Sequence, residues 1–231
     1  MTIILATGNQ HKIREFHAML EGKNAKIYTY SEILEPLEIL ENGKSFAQNA
    51  ALKAKAIYQA LYTRYINAPD SLSFLESPLA IIAEDSGLCI PALNGEPGIY
   101  SARYARYRHF SHTTQNSDDS ENLQCLIEQI KPFAPTSAFF VAHIAFIFIK
   151  SLPLPPLTQC EVQHCEGVLY GEVISEIRGD KGFGYDPIFV PDIANPLKKT
   201  LAEFEVSAKN AISHRKKALS SCIKMLFPTL N

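Results

Sequence analysis

TIILATGNQHKIREFHAML, residues 2–20, decides the fold. Residues 2–6 form a short apolar run suited to a buried strand, and residues 7–10 are turn formers. From His11 onward, Ile13, Phe16 and Leu20 recur at helical spacing. A strand that passes through a tight turn into a helix is an opening unit of an α/β sheet. The same unit points to chemistry, because a helix N-terminus carries backbone N–H groups that favour an anion. Gly8 lets the backbone approach a ligand closely, Thr7 and Asn9 bring hydrogen-bonding side chains, Gln10 and His11 complete the turn, and Lys12 adds a cation. The spacing is not that of the P-loop, so on its own this is equally well an ordinary surface turn.

Outward from this unit, residues 25–30 read as a second strand. Residues 45–64 are alanine-rich, with Phe46, Ala50, Lys53, Ala54 and Ile57 at helical spacing and Ser45 placed as an N-cap. Residues 67–78 are a polar loop, residues 79–83 a strand, and Glu84-Asp85-Ser86-Gly87 a tight polar turn after it. Residues 106–121 read as a mobile surface loop and residues 121–131 as a short helix. Residues 137–150 and 158–170 pair as strands across a proline-stiffened connector at 151–157, and residues 171–177 make another strand. A glycine-rich loop at 179–187 precedes a helical pattern over 200–227. Helices alternate with strands early and an antiparallel hairpin dominates later, so the fold class is α/β with a mixed sheet.

The bulk properties exclude several classes. At 231 residues the chain is long enough for one large domain or two modest lobes, and its 46% hydrophobic and 20% charged content is that of a globular protein. A formal net charge of −2 argues against DNA or RNA as a partner. The apolar stretch at 138–149 is too short to span a bilayer, and the N-terminus lacks the basic start of an export signal. The five cysteines are scattered without a C-x-x-C pair, which fits reduced thiols in a cytoplasmic protein.

Four further blocks carry candidate chemistry. Glu41 lies just before the long helix and Lys53 within it, a carboxylate suited to Mg²⁺ and a cation suited to phosphate. Glu84 and Asp85 end an apolar strand, where α/β proteins commonly place their sites; such a carboxylate binds Mg²⁺ or activates water. In Gly179-Asp180-Lys181-Gly182-Phe183-Gly184-Tyr185-Asp186-Pro187, glycines let the loop wrap a flat ligand. There Phe183 or Tyr185 can stack on a base, and Asp186 can accept hydrogen bonds. Lys209, His214 and Arg215 cluster within two helical turns as donors for phosphate or a purine 6-oxo group. Each block alone has an ordinary alternative: a solvated loop, a turn, a self-packed hairpin or a basic helix face. Their joint occurrence in this order is the signal.

The blocks LATGNQHKIREF, ENGKSFAQNAALKA, EDSGLCIPALNGEPGIYSARYA, GFGYDPIF and SAKNAISHRKKAL extend from Leu5 to Leu219. Together they resemble the inosine triphosphate pyrophosphatase family, the noncanonical purine nucleoside triphosphate pyrophosphatases. The resemblance implies one domain over residues 1–231, an elongated mixed sheet flanked by helices, with two lobes around a central substrate cleft, and a homodimer. It implies Mg²⁺-dependent hydrolysis of ITP, dITP and XTP to the monophosphate and pyrophosphate. Carried over by position, Thr7, Gly8, Asn9, Gln10, His11 and Lys12 form the phosphate-side turn and Lys53 reaches the phosphates. Asp85 is the catalytic carboxylate and a Mg²⁺ ligand, with Ser86 beside it on the substrate. Phe183, Gly184, Tyr185 and Asp186 form the base-binding loop, and Lys209, His214 and Arg215 complete the substrate contacts. Glu41 is the second metal-side acid; Leu40 stands where many relatives carry another acid. The segments at 62–78 and 107–119 are longer than the family pattern.

Overall fold

The computed structural model describes residues 1–110 and 115–227. Among them, six strands form one mixed sheet in the order β2-β1-β3-β4-β5-β6. The strands are β1 (Thr2–Leu5), β2 (Lys26–Thr29), β3 (Leu79–Cys89), β4 (Thr136–Ile149), β5 (Val162–Val173) and β6 (Phe189–Pro191). The helices are α1 (Gln10–Leu20), α2 (Phe46–Asn67), α3 (Tyr104–His109), α4 (Asp119–Ile130), α5 (Val206–Ile212) and α6 (His214–Leu226). The α/β class expected from the sequence is therefore present. No helix among the described residues is long and apolar enough to cross a membrane.

The chain divides into two compact units. Among the described residues, one comprises 1–85, 143–166 and 218–227. In it β1 pairs in parallel with both β2 and β3, placing Leu5 opposite Thr29 and Ile82. Every residue of β1 is buried, as a strand covered on both faces requires. Its core gathers Ile4 from β1, Ile81 and Ala83 from β3, Ala145 and Ile147 from β4, and Ala50, Ala54, Ile57, Tyr58 and Leu61 from α2. These α2 positions follow the i, i+4, i+7, i+8, i+11 pattern of one helix face, so one stripe of the helix meets the sheet. Ser45 caps α2 as expected, its hydroxyl accepting from the Gln48 amide at 3.2 Å.

The second unit comprises, among the described residues, 86–110, 115–142 and 167–217. Its core joins Leu88 of β3 and Ile90 just after it, Leu123, Leu126 and Ile130 of α4, Phe140 of β4, Leu169 and Val173 of β5, and Tyr185, Ile188 and Phe189. Here β5 runs antiparallel to β6, with Gly171 opposite Pro191 and Val173 opposite Phe189.

Several boundaries differ from the sequence expectation. The segment 84–87 is not a turn: β3 continues to Cys89, because Gly87 serves close packing within the strand. A Cβ on Gly87 would stand 2.3 Å from Ser101 Oγ, and that hydroxyl accepts from the Leu88 amide at 3.0 Å. Of the strand expected at 171–177, residues 171–173 are the end of β5 and residues 174–177 are not strand. Gly171 sits in the ladder because a Cβ there would come within 2.3 Å of the Val190 carbonyl oxygen. The strand β6 was not foreseen. The loop expected at 106–121 holds the end of α3 and the start of α4, and its residues 111–114 lie outside the described residues. The closing helix is broken at Ser213 into α5 and α6.

The stripe on α2 gives a direct test. Ile57 is 0% exposed and Ile66 is 58% exposed. Ile57→Ala is expected to lower the denaturant-unfolding free energy by about 2–5 kcal/mol. Ile66→Ala should change it by no more than about 0.5 kcal/mol.

Candidate functional site

The first group of site residues lies at the head of α1, the head of α2 and the middle of β3. Asn9 is the N-cap of α1: its Oδ1 accepts from the His11 amide at 2.9 Å and the Lys12 amide at 3.1 Å. Thr7 Oγ1 accepts from the Asn9 amide at 3.2 Å. The turn is thus organised by its own side chains, and the amides of Asn9, His11 and Lys12 are already bonded within it. Of the N–H groups expected to favour an anion, these three are engaged within the chain. Gly8, Gln10 and His11 are exposed, with His11 Nδ1 3.1 Å from Arg14.

Alternation along β3 sends successive carboxylates to opposite faces. Glu84, 2% exposed, meets Lys12 Nζ at 3.5 Å on the α1 side. Asp85, 8% exposed, meets α2: Asn49 Nδ2 donates to its Oδ2 at 3.1 Å and Lys53 Nζ to its Oδ1 at 3.2 Å. Lys53 Nζ also pairs with Glu41 Oε2 at 2.8 Å and donates to the Glu84 carbonyl at 3.2 Å. Burial works against the Lys53 charge, but Asp85 and then Glu41 outweigh it and hold the ammonium above its ordinary pKa. Glu41 and Asp85, far apart in sequence, therefore converge on one cation. Leu40 is 61% exposed and takes no part in this group.

The second group belongs to the unit that begins at Ser86. Arg215, only 3% exposed, donates to Ser86 Oγ at 3.3 Å. Its guanidinium carbon lies 6.0 Å from the Phe183 ring centroid, and Lys209 Nζ lies 4.5 Å from the same centroid. Both cations stand in cation–π range of one ring. Lys209 is also paired with Asp186 Oδ2 at 2.6 Å, and that oxygen accepts from the Phe183 amide at 2.8 Å. Gly182 and Gly184 have positive φ, 84° and 60°, which closes the loop over Asp186. The Gly184 amide donates to Asp119 Oδ2 at 3.1 Å. The His214 ring stacks on Phe140 at 4.9 Å with an interplanar angle of 8°.

Two expectations change here. Tyr185, read as a ring for stacking on a base, is 5% exposed, and its hydroxyl donates to the Ser101 carbonyl at 2.8 Å. It is therefore a core residue that anchors the loop, and burial raises its pKa well above the usual phenol value. Phe183 is the half-buried aromatic ring of the pair. Asp186 accepts hydrogen bonds as expected, but from Lys209 and the Phe183 amide of its own chain. Asn49 was missed by sequence reasoning, although its place four residues before Lys53 puts both on one helix face.

Both groups use the peptide Asp85-Ser86: Asp85 carries the first and Ser86 the second. Comparison with known proteins gives the chain's family. A dITP/XTP pyrophosphatase of Helicobacter hepaticus is 58% identical, covering 98% of this chain and 99% of its own. A dITP/XTP pyrophosphatase of Campylobacter jejuni is 36% identical over 100% of this chain and 99% of its own. The solved Ham1 protein of Staphylococcus aureus superposes with a TM-score of 0.75 at 32% identity, covering 99% of each chain. The HAM1 protein of Coxiella burnetii gives a TM-score of 0.74 at 31% identity, over 99% of this chain and 100% of its own. The Ham1 family matches residues 3–225, and the chain belongs to that family.

Proposed function

We propose that this chain hydrolyses the noncanonical purine nucleoside triphosphates ITP, dITP and XTP to the monophosphate and pyrophosphate, in a Mg²⁺-dependent reaction. The family match and the names of the relatives support the reaction class. The observation that carries the reading is the convergence of Asp85 and Glu41 on buried Lys53, at 3.2 and 2.8 Å. Carboxylates and an ammonium held together beside the head of a helix suit the binding and attack of a polyphosphate.

The donor set fits Mg²⁺. Glu41 and Asp85 offer hard carboxylate oxygens, which lie 2.8 and 3.2 Å from Lys53 Nζ. No three His, Cys, Asp or Glu side chains gather as a metal-binding group among the described residues. Mg²⁺ in nucleotide enzymes usually needs only one or two carboxylates besides phosphate oxygens. Glu41 and Asp85 would hold the ion, which when bound supplies charge neutralisation at the phosphates.

The protein's own groups do the rest. Asp85 positions and deprotonates water for attack at the α-phosphorus. The ordering of its carboxylate by two donors from α2 limits the motion that would spoil that geometry. Lys12 and Lys53 offset phosphate charge from two faces of β3, and pyrophosphate leaves. Phe183, oriented by the Asp186 and Gly184 bonds, stacks on the purine while Lys209, His214 and Arg215 donate toward it. A 6-oxo group accepts from such donors. The adenine 6-amino group presents another donor and leaves the site unpaired, which discriminates strongly against ATP.

The assay is Mg²⁺-dependent pyrophosphate release. ITP and XTP should be turned over, chelation of Mg²⁺ should stop the reaction, and Asp85→Asn should lower kcat by about 10²–10⁴-fold. Unchanged activity in Asp85→Asn would refute the assigned base. His214→Ala is expected to narrow the ITP-over-ATP preference in kcat/KM by roughly tenfold or more. An unaltered ratio would remove His214 from base recognition.

A further inference from the structure

We infer that Asn49 is a positioning residue for Asp85, a role that rests on the reading of Asp85 as the water-activating carboxylate. Asn49 is 0% exposed in the first turns of α2, an uncommon burial for a polar side chain. Its burial is matched by the use of both ends of the amide. Nδ2 donates to Asp85 Oδ2 at 3.1 Å, and Oδ1 accepts from the Gly43 amide at 2.9 Å. The Gly43 N–H can only donate, so the oxygen must face it and the nitrogen must face Asp85. The amide orientation is therefore dictated by its partners.

Gly43 is shaped to this contact. A Cβ there would stand 2.6 Å from Asn49 Oδ1 and 2.8 Å from Gln48 Cβ. Glycine lets the loop that carries Glu41 close onto the amide. One turn further along the same face, Lys53 takes the other carboxylate oxygen, Oδ1, at 3.2 Å. Each Asp85 oxygen is thus held by one donor from α2, one charged and one neutral. The neutral one fixes the carboxylate plane without adding a charge that would compete for the phosphates. It also ties the Glu41 loop to Asp85, so the two carboxylates are registered against each other through a single side chain.

The test uses Asn49→Asp, which is nearly isosteric. It keeps an oxygen for the Gly43 amide but turns an acceptor toward Asp85. kcat for pyrophosphate release from ITP is expected to fall about 10- to 100-fold, with KM within about threefold. The calorimetric Kd for ITP, measured with Mg²⁺ chelated, should likewise stay within about threefold. In an Asp85→Asn background the same change should add less than about threefold, because it acts through Asp85. Gly43→Ala, which displaces Asn49 without altering it, should show the same kcat-weighted loss, and decides the matter if Asn49→Asp does not fold by circular dichroism. Wild-type kcat in the folded variants, a loss expressed in KM or Kd, or an equal loss in both backgrounds would overturn the inference. Wild-type activity in Asp85→Asn alone would instead bring down the functional reading, and this inference with it. An inactive Asp85→Asn beside a fully active Asn49→Asp would sink only the latter.

Discussion

The ammonium of Lys53, held between Asp85 and Glu41, is the interaction on which the first group of site residues depends. Its side chain is 12% exposed, so the charge survives burial only because the two carboxylates and the Glu84 carbonyl surround it. Removing one partner from such a buried pair typically costs about 3–5 kcal/mol, because the charge left behind has no compensation. The pairing therefore constrains three parts of the chain at once: the loop before α2, the helix itself and β3. It also explains why the ammonium stays charged, since the neighbouring carboxylates raise its pKa against the effect of burial.

Strand alternation supplies the second constraint. Because Glu84 and Asp85 are consecutive in β3, they cannot serve the same face. Glu84 goes to Lys12 and Asp85 goes to Asn49 and Lys53. The next residue, Ser86, accepts from Arg215 and opens the second unit. The loop at 182–186 follows a comparable economy, with a single Asp186 oxygen holding both Lys209 and the Phe183 backbone. Structural and site roles overlap there: the groups that shape the loop also set where its aromatic ring and its cation lie.

Much of this was legible in the residues. The opening strand, turn and helix, the Ser45 cap and the α2 stripe follow from periodicity and capping chemistry. Asp85 stood out because it follows an apolar strand, at the end where α/β proteins commonly place their sites. The misreadings have physical causes. Asp-Ser-Gly is turn chemistry in most sequences, but Gly87 is required by Ser101, fourteen positions away and invisible to a local reading. Gly171 likewise looked like a break, yet it answers the Val190 carbonyl across the β5–β6 ladder. Tyr185 looked like a ligand ring because nothing local reveals that its hydroxyl reaches the Ser101 carbonyl, 84 residues away in sequence. Asn49 was hidden in an alanine-rich helix, where its spacing from Lys53 was its one signal.

The chemistry assigned to Asp85 is tested most directly by where the water goes. ITP hydrolysed with Mg²⁺ in water labelled with heavy oxygen, and analysed by mass spectrometry, distinguishes the sites of attack. If Asp85 delivers water to the α-phosphorus, one labelled oxygen appears in inosine monophosphate and none in the pyrophosphate. Label in the pyrophosphate, or formation of inosine diphosphate and phosphate, would contradict that assignment.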